Sequence, residues 1–247
     1  MPASRVIAVI GASRGIGAAI AVELARRGFT VGCLTRKGTG LESIEVPREA
    51  AGRLVSCRCD VADEASVRGA LGDLAMRCGT INGLVNNAGI HLSAPSHEMT
   101  TEAYQRVMAV NATAVFTACR EAFPHLAQAG GGIIVNIGSF FDKIGVKRSL
   151  AYCASKAAVG AMTRCLAVEW AGKGIRVLDV APGYIETDLI SEALKGPLRE
   201  YLAKRIPGGR PGTAGDVARL VAAIFSEDIP FLTGATLYLD GGQGIAH

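Results

Sequence analysis

A serine, a tyrosine and a lysine lie close together in the middle of the chain, at spacings that suggest one catalytic site. Tyr152 and Lys156 are four residues apart, so on a helix their side chains share one face. The ammonium would lower the phenol pKa from about 10 toward the neutral range, where a hydroxyl becomes a useful acid or base. Ser139 precedes Tyr152 by thirteen residues. The three side chains are therefore candidates for proton transfer at a substrate oxygen.

The position of Ser139 supports this interpretation. It directly follows the run IIVNIG, which is typical of a buried strand, so its hydroxyl would lie just beyond the carboxyl end of that strand. Ligands of open α/β sheets bind at that edge. The alternative is that the Tyr-x-x-x-Lys pair is a coincidence on a solvated helix face and that Ser139 merely begins a loop.

Composition limits the classes of function. The chain has 247 residues, of which 49% are apolar, enough for a sizeable core. The net charge of +4 is dispersed without a basic run, which argues against a nucleic-acid partner. No stretch approaches 18 uninterrupted apolar residues, and the first apolar run ends in a glycine turn and an arginine, unlike a signal peptide. We expect a cytoplasmic protein with no membrane partner.

The cysteines and histidines predict neither a disulfide framework nor a metal site. The seven cysteines are scattered through apolar segments, as expected of small core residues in a protein without an export signal. Cys57 and Cys59 form a C-x-C pair without a second pair at useful spacing, and the four histidines contain no H-x-x-x-H arrangement. We therefore expect no metal.

Apolar runs alternate with segments of helical periodicity along the chain. The predicted strands are 5–10, 29–34, 53–59, a short strand centred on Leu84 and Val85, 132–137, 175–180 and 235–239. The predicted helices are 16–27, 101–108, 113–127, a helix through Tyr152 and Lys156 that ends near 171, and 214–225. Such alternation implies right-handed crossovers and a parallel sheet covered on both faces. The prediction is an α/β fold, a single Rossmann-type doubly wound domain with seven strands over residues 1–247.

A glycine-rich turn follows the first predicted strand. Gly11, Gly15 and Gly17 lack side chains that would block a tight turn or the approach of a pyrophosphate to the following helix. Their spacing is G-x-x-x-G-x-G rather than the common G-x-G-x-x-G. Packing alone is one explanation of these glycines, but their place after the first strand favours dinucleotide binding.

The end of the second predicted strand indicates which dinucleotide binds. An NAD site usually places a carboxylate there, whereas this chain has Thr35 and Arg36. Arg36, together with Arg14 from the glycine turn, can hold a 2′-phosphate by charge-assisted hydrogen bonds. We predict NADP(H) over NAD(H); the alternative is that these arginines are solvated surface charges.

Taken together, the residues resemble those of the short-chain dehydrogenase/reductase family over nearly the whole chain. The matching motifs are GASRGIG at 11–17, DV at 60–61, NNAG at 86–89, N-x-x-x-x-F from Asn111, a serine thirteen residues before the tyrosine, YCASK at 152–156, PGYIET at 182–187 and LDGG at 239–242. Each motif alone is weak, but their order and spacing together identify the family.

The resemblance implies a role for each residue of the site. The family's catalytic tetrad corresponds to Asn111, Ser139, Tyr152 and Lys156. Tyr152 would transfer the proton and Ser139 would bind the substrate oxygen. Lys156 would hold the nicotinamide ribose and lower the pKa of Tyr152, and Asn111 would support a water-linked proton route to Lys156.

The resemblance also implies a set of cofactor contacts. Asp60 and Val61 would meet the adenine, 87–89 would border the cofactor, and Ile185 and Thr187 would meet the carboxamide. The full implied set is Gly11, Ser13, Arg14, Gly15, Ile16, Gly17, Thr35, Arg36, Asp60, Val61, Asn87, Ala88, Gly89, Tyr152, Lys156, Pro182, Gly183, Ile185 and Thr187.

The implied activity is hydride transfer between NADP(H) and a ketone or secondary alcohol. Within the family the chain is most similar to 3-oxoacyl-acyl-carrier-protein reductases, so a 3-oxoacyl thioester is one candidate substrate. Residues 126–132 read LAQAGGG and lack the basic residues that usually meet an acyl-carrier protein, so the sequence does not favour that partner. An NAD(H)-dependent alcohol, polyol or sugar dehydrogenase and a non-catalytic nucleotide sensor stay as alternatives.

Three further expectations concern the substrate, the assembly and one unusual residue. Residues 184–212 are predicted to form a substrate lid, with an ordinary helical connection as the alternative. The candidates for an apolar pocket are His91, Leu92, Phe140, Phe141 and Tyr184. The resemblance implies a homotetramer. Asp179 stands where the family usually has an apolar residue, and a carboxylate in a buried strand needs a partner that the sequence does not name.

Overall fold

The central element is a parallel sheet of seven strands. The structure is a computed structural model that describes residues 5–39, 41, 44–187 and 196–246. The strands of this sheet, in chain order, are β1 Val6–Ile10, β2 Thr30–Thr35, β3 Leu54–Arg58, β4 Ile81–Asn86, β5 Gly132–Ile137, β6 Ile175–Pro182 and β9 Thr236–Leu239. Their spatial order is β3-β2-β1-β4-β5-β6-β9. The predicted Rossmann-type, doubly wound α/β fold is confirmed.

The strands form because their residues are apolar on both faces. All five residues of β1 are buried, as are the last five of β5. This continuous burial is typical of a parallel sheet that helices cover on both sides. The fourth strand is longer than the predicted segment around Leu84 and Val85, since it begins at Ile81.

Eight α-helices flank the sheet in the described part of the chain. They are α1 Gly15–Arg26, α2 Arg48–Ala51, α3 Glu64–Cys78, α4 Thr101–Met108, α5 Ala114–Gln128, α6 Leu150–Trp170, α7 Pro197–Arg205 and α8 Ala214–Ser226. Helices α1 and α8 contribute to the core on one face of the sheet, and α3, α5 and α6 to the core on the other. Among the described helices, none combines the length and apolar composition needed to cross a membrane.

Helix α3 was not predicted from the sequence. It contains Gly69 and Gly72, which weaken a helical pattern, and only a narrow set of its apolar side chains is buried. Asp63 was nevertheless a signal in the sequence for the start of this helix. Its carboxylate accepts a hydrogen bond from the backbone N–H of Ala65 at 3.0 Å. This is the usual N-cap arrangement.

Two connections shape the candidate site. A π-helical turn at Ala109–Thr113 joins α4 to α5 and carries Asn111; such turns occur frequently at functional sites. The predicted lid segment is anchored at its base, where β7 Ile185–Glu186 pairs with β8 Gly212–Thr213. Helix α7 lies within this segment and packs against Tyr184 through Leu202 and Ile206. Residues 188–195 of the predicted lid lie outside the described residues, and its lid function stays a prediction.

Candidate active site

The candidate site lies at the carboxyl edge of the sheet. Strands β1 and β4 are neighbours there, although β2 and β3 continue the sheet on the other side of β1. This is the point at which the strand order reverses, and open α/β sheets bind ligands at that point. A cavity of about 620 Å³ opens above it, lined by the loops that follow β1, β2, β3 and β4.

The glycine turn after β1 brings backbone close to the cavity. A Cβ on Gly11 would lie 2.9 Å from Cα of Ala88, and Gly11 also has a φ of +78°, which favours glycine. A Cβ on Gly17 would lie 2.5 Å from Nδ2 of Asn87. The turn and the loop after β4 can therefore meet only because these two positions have no side chain.

The first turn of α1 leaves its backbone donors available. No side chain in the described ranges caps this helix, and its first turn contains no acidic residue. By contrast, Asp63 caps α3, Thr100 caps α4 and Thr213 caps α8. The first N–H groups of a helix need acceptors, and the positive end of the helix dipole favours an anion. The start of α1 therefore fits the pyrophosphate of a dinucleotide.

Most of the sequence-predicted cofactor residues line this cavity. They are Gly11, Ser13, Arg14, Gly15, Ile16, Thr35, Arg36, Asp60, Val61, Asn87, Ala88, Gly89 and Thr187. Gly17 lies behind the turn, against the carbonyl of Gly11. Gly183 is bonded to the end of β9 through the carbonyl of Leu239, next to Pro182. Ile185 is 7% exposed and belongs to the core on the α1 side. These last four residues are not among those that line the cavity, and neither are Tyr152 and Lys156, the other two residues of the predicted set.

The structure adds lining residues that sequence reasoning missed. They are Leu34, Cys59, Ala62, Ile90, Arg106, Ala109 and Val110. Four of them lie immediately beside predicted positions and were within reach of the motif analysis. Arg106, Ala109 and Val110 come from the end of α4 and the π-helical turn, and only the folded arrangement brings them to the glycine turn.

Ser139, Tyr152 and Lys156 are brought together as predicted. The Ser139 hydroxyl lies close enough to Tyr152 to lower the pKa of the phenol. It accepts a hydrogen bond from the backbone N–H of Phe141 at 3.2 Å, and this bond caps a short 3-10 turn, Phe140–Asp142. On α6, Nζ of Lys156 lies 5.6 Å from the centroid of the Tyr152 ring.

The Lys156 ammonium is buried at the end of β5. Lys156 is 5% exposed, and its Nζ donates a hydrogen bond of 2.6 Å to the carbonyl of Ile137. Burial lowers the pKa of Lys156 to about 8, and the nearby charge of Asp179 opposes this effect. Lys156 is therefore protonated at neutral pH but close to its titration range.

The pKa of Tyr152 differs from the value that the sequence led us to expect. Burial raises the pKa of the phenol above its ordinary value, and the hydrogen bond with Ser139 opposes the increase. The sequence predicted that Lys156 would lower this pKa. In the structure the Lys156 ammonium donates its hydrogen bond to the Ile137 carbonyl rather than to the phenol oxygen. Burial therefore decides the pKa of Tyr152, and the expected lowering by Lys156 is wrong.

Asn111 joins the catalytic helix to the loop after β4. Its Oδ1 accepts a hydrogen bond from the N–H of Ile90 at 2.8 Å, and its Nδ2 donates to the carbonyl of Ile90 at 2.9 Å and to Oγ of Ser155 at 3.1 Å. Oγ of Ser155 in turn donates to the carbonyl of Tyr152 at 2.8 Å. The amide thus positions the backbone on which Tyr152 stands.

His91 is a second titratable group beside the phenol. Its ring centroid lies 5.0 Å from that of Tyr152 in an edge-to-face arrangement, and Nε2 lies 3.0 Å from Oγ of Ser149. Burial lowers the pKa of His91, so its imidazole is neutral at pH 7. The sequence placed His91 in an apolar pocket, whereas the structure places it against the catalytic tyrosine.

A second cavity, of about 780 Å³, is lined by residues that follow β5 and by residues of α7. Phe141 leads into it, with ring centroids 5.9 Å from Tyr152 and 6.0 Å from Tyr184. The predicted lining role of Phe140, Phe141 and Tyr184 is confirmed, whereas His91 and Leu92 do not line this cavity. Its outer part contains Tyr201 and three basic side chains, Lys147, Lys204 and Arg205.

The hydrogen bonds of Asn111 predict a cost to stability when its amide is removed. We expect Asn111→Leu to lower the free energy of unfolding by about 3 kcal/mol, because two backbone groups of Ile90 lose their partners. Urea unfolding measures this change. Thr113→Ala, at an exposed position of the same π-helical turn, is the matched control and should change stability by less than about 0.5 kcal/mol. Equal effects of the two substitutions would contradict the structural role of Asn111.

Comparison with known proteins shows the family to which the chain belongs. A family model described as Enoyl-(Acyl carrier protein) reductase matches residues 11–243. The chain is 39% identical over 246 residues to a 2-(R)-hydroxypropyl-CoM dehydrogenase of Xanthobacter autotrophicus, covering 96% of this chain and 98% of that one. It is 35% identical over 242 residues to a D-threitol dehydrogenase of Mycolicibacterium smegmatis, covering 98% and 93%.

A solved structure shows the same arrangement. The gluconate 5-dehydrogenase of Burkholderia cenocepacia, in complex with NADP and tartrate, superposes with a TM-score of 0.89 at 30% identity, over 99% of this chain and 97% of that one. The agreement in sequence and in structure extends from the glycine turn to the last strand of the sheet. The chain therefore belongs to the short-chain dehydrogenase/reductase family of NAD(P)-dependent oxidoreductases.

Proposed function

We propose that this enzyme transfers hydride between NADP(H) and a ketone or secondary alcohol, with Asn111, Ser139, Tyr152 and Lys156 as its catalytic tetrad. The observation that carries the proposal is the joint position of Ser139, Tyr152 and Lys156 at the end of β5 and on α6. The first cavity fits a dinucleotide, and the second is lined by Phe141, whose ring packs against that of Tyr152. When bound, the nicotinamide cofactor supplies or accepts the hydride.

The residues of the chain divide the remaining work. Ser139 binds the substrate oxygen through its hydroxyl and keeps that oxygen beside the phenol. In reduction, Tyr152 gives its proton to the carbonyl oxygen while the carbonyl carbon receives hydride; in oxidation, the phenolate takes the proton of the alcohol. Lys156, one turn after Tyr152 on α6, binds the ribose hydroxyls and so holds the cofactor beside the phenol, and Asn111 holds the backbone of this arrangement in place.

The NADP(H) preference is supported by the charges at the adenosine end of the first cavity. Arg14 and Arg36 both line it, and neither pairs with a carboxylate in the part of the chain that the structure describes. Strand β2 ends in Thr35, whose Oγ1 accepts a hydrogen bond from the N–H of Gly38, and no carboxylate stands at this position. The gluconate 5-dehydrogenase complex contains NADP. NAD(H) is the alternative.

The second cavity favours a substrate with a negatively charged group. Phe141 and Tyr184 surround its inner part, whereas Lys147, Lys204 and Arg205 lie farther out, and none of its described lining residues is acidic. A ketone whose reacting carbon lies at Tyr152 would direct an anionic tail toward these cations. The gluconate 5-dehydrogenase structure contains tartrate, a dicarboxylate. A 3-oxoacyl thioester also has an anionic tail; the relative named D-threitol dehydrogenase represents the alternative of a neutral polyol or sugar.

Assembly and location stay predictions. Phe116 and Val168 present exposed apolar side chains on α5 and α6, the helices through which the family resemblance implies a homotetramer. Cytoplasmic location and the absence of acyl-carrier-protein docking also stay predictions. A non-catalytic nucleotide sensor would bind NADPH and turn over no substrate in the assays below.

The tetrad assignment predicts a separation of turnover from cofactor binding. Tyr152→Phe removes the proton donor but not the ring, so we expect kcat to fall about 10²–10⁴-fold while the Kd of NADPH changes little. Lys156→Ala should lower kcat and also weaken NADPH binding, because the one ammonium contributes to turnover and to cofactor binding. Steady-state kinetics and titration of cofactor fluorescence measure the two quantities. Full turnover by Tyr152→Phe would refute the assignment.

The cofactor assignment predicts a selective loss. Arg36→Ala should lower kcat/KM for NADP(H) about ten- to a hundredfold, as expected for one charge-assisted hydrogen bond, and leave NAD(H) kinetics nearly unchanged. Arg26→Ala, an exposed arginine farther along α1, is the control and should affect neither cofactor. A wild-type preference for NAD(H) would overturn the prediction.

The substrate assignment predicts that the basic residues recognise charge. A keto acid should be a better substrate than a methyl ketone of the same length, and Lys204→Ala combined with Arg205→Ala should lower kcat/KM for the keto acid at least tenfold. The methyl ketone should be unaffected. Lys173→Ala, an exposed lysine outside the cavity, is the control. An equal loss for both ketones would show that the cations do not bind the substrate.

A further inference from the structure

Asp179 is a fully buried carboxylate in β6, the strand next to the edge strand β9. It lies in β6, in register with Asn136 of β5, and is 0% exposed. Burying a carboxylate is unfavourable unless a positive charge and hydrogen bonds compensate for the lost water. Asp179 therefore needs compensating groups nearby, and the structure identifies two.

The first compensating group is a hydroxyl on the neighbouring strand. Oγ1 of Thr236 in β9 lies 3.2 Å from Oδ2 of Asp179 and donates a hydrogen bond to it. Oδ1 is buried and has no hydrogen-bond partner among the described residues. One carboxylate oxygen is thus satisfied and the other is not, which calls for an explanation.

The second compensating group is the Lys156 ammonium, whose charge acts on Asp179 although the two groups form no direct ion pair among the described residues. A Cβ on Gly138 would lie 2.7 Å from Oδ2 of Asp179 and would be even closer to Oδ1. Gly138 therefore provides the space that the carboxylate occupies. The preceding residue, Ile137, supplies the carbonyl that binds Nζ of Lys156. The carboxylate and the ammonium thus contact two consecutive residues of the same strand end.

We propose that Asp179 is the buried counter-charge of Lys156 and that it positions this ammonium for its work beside Tyr152. The proposal rests on the proposed role of Lys156 in the reaction. Asp179 is 0% exposed in β6, and the Lys156 charge acts on it, so it acts through the lysine rather than on the substrate. It is a positioning residue, not a catalytic one.

The other charged and titratable groups around Asp179 do not replace Lys156. Asp142, in the 3-10 turn, has the same sign as Asp179 and raises its pKa. Tyr238 on β9 is bonded to Asp142, and burial together with that bond raises the phenol pKa to about 12, so Tyr238 is neutral. Arg164 of α6 is a cation near Tyr238. Lys156 is the cation whose charge acts on Asp179.

The titration of the pair agrees with this arrangement. Burial raises the pKa of Asp179 to about 6 and the Lys156 charge opposes it, while burial lowers the pKa of Lys156 to about 8 and the Asp179 charge opposes it. Both groups are therefore charged between about pH 6 and 8. Without the carboxylate, the ammonium would be desolvated alone and would lose its proton at a lower pH.

The test is the pH dependence of cofactor binding and turnover in Asp179→Asn. In the wild type, the affinity for NADPH should fall as pH rises through about 8, because the neutral amine no longer holds the ribose hydroxyls. In Asp179→Asn we expect the same fall about one pH unit lower, kcat at pH 7.5 reduced about threefold, and recovery of most of that loss at pH 6. A loss of equal size at every pH, or an unchanged profile, would overturn the proposal.

Two glycines provide an independent test that keeps Asp179 itself. Gly138→Ala would displace the carboxylate and should shift the profile in the same direction as Asp179→Asn. Gly160→Ala is the matched control, since its Cβ would lie 3.9 Å from Oδ2 of Asp179, an ordinary contact, and should leave the profile unchanged. In an Asp179→Ala background, Gly138→Ala should add no further shift. An additional shift there would show that Gly138 acts independently of Asp179.

Lys156→Ala separates failure of this proposal from failure of the proposed function. If Lys156→Ala keeps full turnover, the proposed function fails whatever Asp179 does. If Lys156→Ala loses turnover while the profiles of Asp179→Asn and Gly138→Ala match the wild type, only the role of Asp179 fails. Thermal unfolding of each variant shows whether it is folded; should Asp179→Asn not fold, Gly138→Ala still gives the decisive profile.

Discussion

The site depends on one interaction, the hydrogen bond from the buried Lys156 ammonium to the carbonyl of Ile137. A charge in this position is unfavourable: the decrease of its pKa from 10.5 to about 8 corresponds to roughly 3 kcal/mol. Three features hold the ammonium in place: the bond at 2.6 Å to the Ile137 carbonyl, the charge of the Asp179 carboxylate, and helix α6, which carries Lys156. The same bond fixes Lys156 relative to Tyr152, which stands one turn before it on α6, with Nζ 5.6 Å from the centroid of the phenol ring.

The sheet explains how this interaction is held in place. Strand β5 ends at Ile137, and the backbone continues directly into Gly138 and Ser139, so the acceptor of the Lys156 hydrogen bond and the Ser139 hydroxyl are two residues apart. Helix α6 packs on the face of the sheet that α3 and α5 also cover, and Asn111 ties it to the loop after β4. The four proposed catalytic residues therefore stand on regular elements or directly beside them. The second cavity instead takes its basic residues from a loop and from α7, which suits a region that determines the substrate.

The sequence was sufficient where the signal was local. The apolar runs predicted the seven strands, the glycine turn predicted the dinucleotide cavity, and the spacing of Tyr152 and Lys156 placed both on one helix face. It failed where the cause lies in the folded arrangement. Arg106 reaches the first cavity from a distant helix, the basic residues of α7 meet the aromatic residues after β5 only in the fold, and the pKa of Tyr152 rises because of burial that no spacing reveals.

Asp179 shows most clearly why a local departure from a family pattern needs the whole structure to explain it. Its folded pKa, about 6, exceeds its ordinary value of 3.8, so it reduces stability as pH rises from 3.8 to 6. Lys156 has the opposite shift, so its contribution to stability recovers only as pH rises from about 8 to 10.5. Between about pH 6 and 8, both groups lower the free energy of unfolding by their full amounts. The pair of charges weakens the fold most at neutral pH, and Gly138 leaves the space that the Asp179 carboxylate occupies. The presence of Asp179 is therefore better explained by its effect on Lys156 than by a gain in stability.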